Sequence, residues 1–186
     1  MDPRIEKTRD KVLRATLERL GRSGYGELTI EGVAEQADVA KSTIYRHWPT
    51  KLALIADALE TLNRQPGPEL SASTAVGQVR ELVDHLVAAF DDSVLSACIP
   101  ALIEAAEHHD EVAQFLHTYS AQRRRRLTET IQLGIDHDEL PGHLDAELAA
   151  IAISGAVIYR RTMTTAPLTR SEGRRLIDMM LTPPTS

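Results

Sequence analysis

The chain has 186 residues, 42% hydrophobic and 4% aromatic, with Ala, Leu, Arg and Glu abundant, which suits one or two compact all-α units. A single cysteine, Cys98, excludes an intramolecular disulfide and fits a reducing compartment. The net charge of −6 is uneven: residues 1–64 hold 11 Lys and Arg against 10 Asp and Glu, the remainder 10 against 17, so a slightly basic head sits on an acidic body.

The opening MDPRIEKTRDK is charged throughout, which excludes a secretory signal. Helical spacing predicts a first helix over about 7–22 that buries Val12, Leu13, Thr16, Leu17 and Leu20. Arg4, Lys7 and Arg9 at its start form either a basic arm or a solvated helix end. Gly21, Gly24 and Gly26 terminate it. Thr29 then caps a short helix with Ile30, Val33, Ala34 and Ala37 on one face. Asp38 breaks that helix, because a short polar side chain tolerates the left-handed backbone of a tight turn. Val39 re-enters the core. A second short helix follows from about Ala40 to Trp48, with Ile44 and Trp48 inward. Its outer face carries Lys41, Ser42, Thr43, Tyr45 and His47 and no acidic residue.

Residues 29–51 therefore have the layout of a helix-turn-helix. Such corners are common in helical bundles. An exposed face of donors, acceptors and flat rings, however, fits the major groove, with its donor–acceptor code and phosphate-lined walls. The expected partner is double-stranded DNA.

Pro49 and Thr50 start a fourth helix, 51 to about 64, with Leu52, Ile55, Ala56, Leu59 and Leu62 in one apolar stripe. QPGPELSAS (65–73) is the clearest boundary in the chain. Beyond it, Val76, Val79, Val83, Leu86, Val87 and Phe90 form one stripe, and Leu95, Ile99, Leu102 and Ile103 another. Pro100 either kinks that second element or begins its helical part. Asp110 caps a long helix to about Gly134, and Asp145 caps the next. Thr169 and Glu172 make a capping box for the last helix. The helix after Asp145 contains the longest apolar run, 148–159, too short to span a bilayer. A soluble cytoplasmic protein with no membrane partner is expected. Because that run is apolar nearly all round, it needs cover on more than one side. It either completes the monomer's own core or joins the last helix in a four-helix bundle across a twofold axis.

Three stretches occur in order: TRDKVLRATLERLGRSGYGELTI, ADVAKSTIYRHW and PTKLALIADAL. Over residues 8–59 they resemble the DNA-binding domain of the tetracycline-repressor (TetR) family of bacterial regulators, with Asp38 where a small glycine is usual. The resemblance implies a DNA-binding domain at 1–50, a linking helix at 51–64, and an effector-binding and dimerisation domain at 65–186. It places Lys41, Ser42 and Thr43 against base edges, and Thr29, Tyr45, His47 and Lys51 against phosphates. Arg46 faces either phosphate or solvent. The resemblance also implies a homodimer through Leu148, Ile151, Ala152, Gly155, Ile158, Tyr159, Leu176, Ile177 and Met180. The family's ligand cavity would here be lined by Leu59, Leu62, Leu86, Phe90, Leu102, Phe115, Thr118 and Tyr119. That lining is mostly aliphatic and suits a small hydrophobic effector. The function implied is a repressor on a palindromic operator, released by that effector. An activator, or a DNA-binding module controlled by a partner protein, fits the same sequence.

Other signals carry less. Arg123–Arg126 spread around a helix and read as a solvated surface paired with acidic neighbours. His108, His109, Asp110 and His117 lack metal-ligand spacing, and Asp136, His137, Asp138 and Glu139 lack that of a calcium loop. No nucleophile–base pair, carboxylate pair or phosphate loop appears, and Cys98 reads as buried. Neither an enzyme nor a cofactor is expected.

Overall fold

A computed structural model describes residues 3–63, 68–91 and 93–181, without the side chains of Pro3, Arg4, Leu62, Asn63, Ser93 and Leu95. The readings made for Arg4, Leu62 and Leu95 thus lie outside the described side chains. Among the described residues there are nine α-helices and no strand: α1 (Pro3–Glu27), α2 (Ile30–Ala37), α3 (Lys41–His47), α4 (Lys51–Asn63), α5 (Ala75–Asp91), α6 (Ser93–Ala106), α7 (Asp110–Asp136), α8 (Ala146–Met163) and α9 (Arg170–Leu181). None of them is long and apolar enough by itself to cross a membrane.

The helices form two compact units. One comprises Met1–Gln65 with Ser93–Thr118, the other Pro66–Asp92 with Tyr119–Ser186. The break at 65/66 coincides with the Pro- and Gly-rich stretch, but residues 93–118 join the head. The reason is a close helix crossing: α6 lies against α1 where a Cβ on Gly21 would come within 2.8 Å of the Ala97 Cβ. Gly21 is therefore a packing residue and does not terminate α1. The chain direction changes at Gly24, whose φ of 78° is left-handed backbone that suits glycine. Cys98 is buried in this contact, its Sγ 3.4 Å from the Leu17 carbonyl oxygen.

In the first unit α1 packs on α2, α4 and α6. Its buried face holds Val12, Leu13, Thr16, Leu17 and Leu20, as the spacing predicts, together with Ala15. The Thr16 hydroxyl is satisfied by the Val12 carbonyl at 2.8 Å. In the second unit α5 packs on α8 and α9 through Val79, Val83, Val87 and Phe90. Val76 and Leu86 are only half-buried. Gly173 lets α9 approach α5, its Cβ position 3.3 Å from Val83. Pro100 lies inside α6, which continues to either side of it. α7 begins at Asp110, so its N-terminal bonds run to the His109 carbonyl and Asp110 is a first-turn residue, not the cap.

The remaining caps fall where expected. Asp145 Oδ1 accepts from the Leu148 amide at 2.9 Å. Thr169 and Glu172 exchange hydrogen bonds, Thr169 N to Glu172 Oε2 at 2.9 Å and Glu172 N to Thr169 Oγ1 at 3.3 Å. In the arginine run, Arg124 pairs with Glu147 at 2.6 Å and Arg125 with Glu129 at 3.5 Å, so these cations face acidic neighbours.

Candidate nucleic-acid interface

The corner begins at Thr29, in extended backbone, whose hydroxyl accepts from the Gly32 amide at 3.2 Å. α2 buries Ile30, Val33, Ala34 and Ala37. Asp38 closes it in the left-handed region, at φ 56° and ψ 53°. Its amide bonds back to Glu35 O and that of Val39 to Ala34 O, which turns the chain directly into α3. α3 has seven residues, too few for independent stability, so tertiary contacts must hold it. Ile44, fully buried, is its apolar anchor, and Trp48 at its C-terminal cap is 6% exposed.

What α3 leaves outside is polar. Lys41, Ser42, Tyr45, Arg46 and His47 are exposed and Thr43 is half-buried. The Lys41 ammonium pairs with Glu31 of α2 and stands 5.4 Å from the Tyr45 ring centroid. That hydrogen bond holds the Glu31 carboxyl below the usual range and the Lys41 amine above it. The helix itself carries no acid, but α2 supplies one, and a base contact by Lys41 has to compete with it. The His47 ring lies 5.6 Å from that of Trp48.

Two further cations are committed inside the head. Arg9 Nη2 reaches both carboxylate oxygens of Asp57 on α4, at 2.8 and 2.5 Å, so it is neither a free arm nor a solvated helix end. Lys51 donates to the Tyr25 carbonyl at 2.8 Å, with its ammonium 3.9 Å from the centre of the Tyr25 ring. Burial pushes the Lys51 amine down, and Glu111 opposes that. Burial, then Glu111 through its charge and a hydrogen bond, pushes the Tyr25 phenol up. An ammonium has three donors, and the bond to the Tyr25 carbonyl takes one of them.

In the second unit, α8 and α9 show an apolar face that none of the described residues covers. Leu148 is 63% exposed, Tyr159 62%, Met163 72% and Met179 79%, and Ile151, Ala152 and Gly155 are also exposed. A shallow concavity there is walled by Ala156, Leu168 and Leu176 among others. Ile158, Leu176 and Met180 are half-buried. Ile177 is the exception: it is fully buried, has no surface to offer a partner, and belongs to the unit's own core. The opposite face of α8 is that core's wall, through Ala149, Ala150, Ile153 and Val157.

The residues expected to line a ligand cavity divide between the units. Leu59 and Leu102 are fully buried in the first, with Phe115 half-buried and Thr118 exposed, its hydroxyl bonded to Gln114 O at 3.0 Å. Phe90 and Tyr119 are buried in the second and Leu86 half-buried.

Sequence reasoning missed Glu31, Tyr25 and Asp57. A signal existed for Asp57, the lone charge in the otherwise apolar LALIADAL. No sequence spacing links Tyr25 to Lys51, which meet across the fold.

Comparisons agree with this architecture. Residues 12–58 match the model of bacterial regulatory proteins of the tetR family, and residues 73–180 that of the tetracyclin repressor-like C-terminal domain. The HTH-type transcriptional regulator YdeS of Bacillus subtilis (strain 168) is 31% identical over 180 residues, covering 94% of this chain and 88% of YdeS. A TetR transcription regulator from Haloarcula marismortui superposes with a TM-score of 0.76 at 20% identity, covering 95% of this chain and 99% of that one. FadR from Bacillus subtilis, in complex with stearoyl-CoA, gives 0.77 at 18% identity, over 92% and 97%.

Proposed function

Because the chain belongs to the TetR family of bacterial transcriptional regulators and binds DNA through its helix-turn-helix, we propose that it is a repressor, occupying a palindromic operator as a homodimer and released by a small hydrophobic effector. The observation that carries this reading is the apolar face of α8 and α9, which is exposed among the described residues. A second copy is the occupant that suits it, because a twofold axis would bring two identical faces together and give each copy one half-site. Leu148, Ile151, Ala152, Gly155, Ile158, Tyr159, Leu176 and Met180 would form the contact.

On the DNA side, Lys41, Ser42 and Thr43 would meet base edges, while Thr29, Tyr45, His47 and Lys51 would hold phosphates. Release needs only a change in the spacing between the two recognition helices, since both half-sites must be met at once. α6 and the first turns of α7 share a unit with α1 and α4, and Glu111 touches Tyr25, which holds Lys51. An effector that shifts α6 or the start of α7 would therefore reach α4 through α1 and through Tyr25. Such coupling is typically about 1–3 kcal/mol and reciprocal. The relative that holds stearoyl-CoA has this fold, which favours acyl compounds as the first effectors to try.

The test is selection from random duplex DNA at two salt concentrations. Enrichment of one inverted repeat is expected, with binding that weakens steeply as salt rises. Salt-sensitive binding without a motif would reject the operator reading, and an unchanged complex under every acyl compound tried would reject the effector class.

A further inference from the structure

We infer that Asp57 is a positioning residue for sequence-specific DNA reading: its carboxylate, held from α1 by Arg9, fixes the recognition helix through the indole N–H of Trp48. The inference rests on the reading that α3 meets base edges, and concerns what aims it.

A helix of seven residues anchored at one apolar point can pivot about it. Ile44 is that point, mid-helix and fully buried. A second fixed point defines the axis, and Trp48 supplies it one turn later, where the helix ends. Its backbone amide closes α3 on the Ile44 carbonyl at 2.8 Å, and its indole Nε1 donates to Asp57 Oδ2 at 2.9 Å. The same carboxylate takes Arg9 Nη2 on both oxygens, at 2.8 and 2.5 Å. Three helices therefore meet at one partly buried carboxylate: α1 through Arg9, α3 through its capping tryptophan, and α4, which carries Asp57. The acceptor is charged and held in place by Arg9, so the indole bond is stronger and better aimed than one to a neutral group.

The consequence is selective. Phosphate contacts tolerate small tilts, because long side chains follow the backbone; base-edge contacts do not. Loosening the tryptophan should therefore cost sequence-specific binding and spare non-specific binding. Asp57 also stands on α4, the helix that an effector is proposed to disturb, so the bond would carry that disturbance into α3.

Trp48 is the chain's only tryptophan, so emission excited beyond the tyrosine band comes from the residue that makes this contact. Excitation moves electron density in indole from the pyrrole towards the benzene ring, and a carboxylate beside Nε1 stabilises the excited state. The Asp57→Asn variant keeps the shape and an acceptor but loses the charge. Its emission should move to shorter wavelength, and its affinity for the selected repeat should fall about tenfold, with that for random duplex unchanged. Asp57→Glu should recover part of the loss. Trp48→Phe keeps an aromatic ring without the donor; it should lose a similar factor, and adding Asp57→Asn should cost little more.

Three results would overturn the inference: unshifted emission in Asp57→Asn, unchanged affinity for the repeat, or an equal loss on both DNAs that follows the melting temperature. A Thr43→Ala control separates the two layers. If that variant changes the preferred sequence while Asp57→Asn does not alter specific affinity, the positioning role is wrong and base reading stands. If the parent protein selects no motif, base reading is wrong and the inference goes with it.

Discussion

α3 in the first unit and α8 in the second each bury one side, but they leave opposite chemistry outside. α3 shows Lys41, Ser42, Tyr45 and His47, whereas α8 shows Leu148, Ile151, Tyr159 and Met163. The way each is held differs too. α8 has eighteen residues, a capping aspartate and a broad apolar seat of Ala149, Ala150, Ile153 and Val157. α3 has seven, no side-chain cap, and depends on Ile44 and the Trp48–Asp57 bond. A partner of base edges and phosphates calls for polar groups aimed by a few rigid points. A second protein surface calls for contiguous apolar area on a helix that is stable before it is met.

The contrast can be tested by substitution. The largest effect expected is from Ile44→Ala, which empties the single apolar seat of α3 and should lower stability by about 2–5 kcal/mol in urea unfolding. Association through α8 should survive it. Tyr159→Glu should do the reverse. It places a charge on a residue already 62% exposed, so the helical content of each chain should hold, while association is lost and operator affinity falls on the order of a hundredfold. Thr43→Ala should alter which sequence is preferred, by about 1–3 kcal/mol at the contacted base pair, read by repeating the DNA selection.

Smaller effects sharpen the comparison. Thr29→Ala and Asp145→Ala each remove a helix cap and should each cost about 1 kcal/mol of stability. Only Thr29→Ala should also weaken DNA binding, because its cap orders the reading corner. Acid should act on the second unit through Glu147 and Glu172. Hydrogen bonds from Arg124 and Thr128 hold the first carboxyl below its ordinary 4.5, and those from Thr169 hold the second below it. A carboxylate lowered on folding stabilises the native state above its unfolded value and ceases to as pH falls through the folded one. The urea midpoint should therefore fall as pH drops below about 4.5, and Glu172→Gln should flatten that fall.

Much of this was legible in the chain because its signals are local. Thr29, Asp38, Asp145 and the Thr169–Glu172 box act within a few residues of themselves, and helical spacing identified the buried face of α1. Contacts between distant segments were not legible. Arg9 read as a basic arm or a solvated helix end and Lys51 as a phosphate contact, and nothing in their spacing pointed to Asp57, which holds the first, or to Tyr25, which binds the second. Gly21 has the sequence context of a helix end, but it packs α6 against α1. Ile177 shares its helix with half-buried Leu176 and Met180, and only the packed unit shows that it points inward. Periodicity finds an apolar face; it does not tell whether the cover is this chain or another.

The most direct test of the central claim is sedimentation equilibrium of the purified chain, alone and with a duplex carrying its selected repeat. The account predicts two chains in solution and two on each duplex, with Tyr159→Glu sedimenting as one. A monomer that binds the same duplex singly and with undiminished affinity would contradict it.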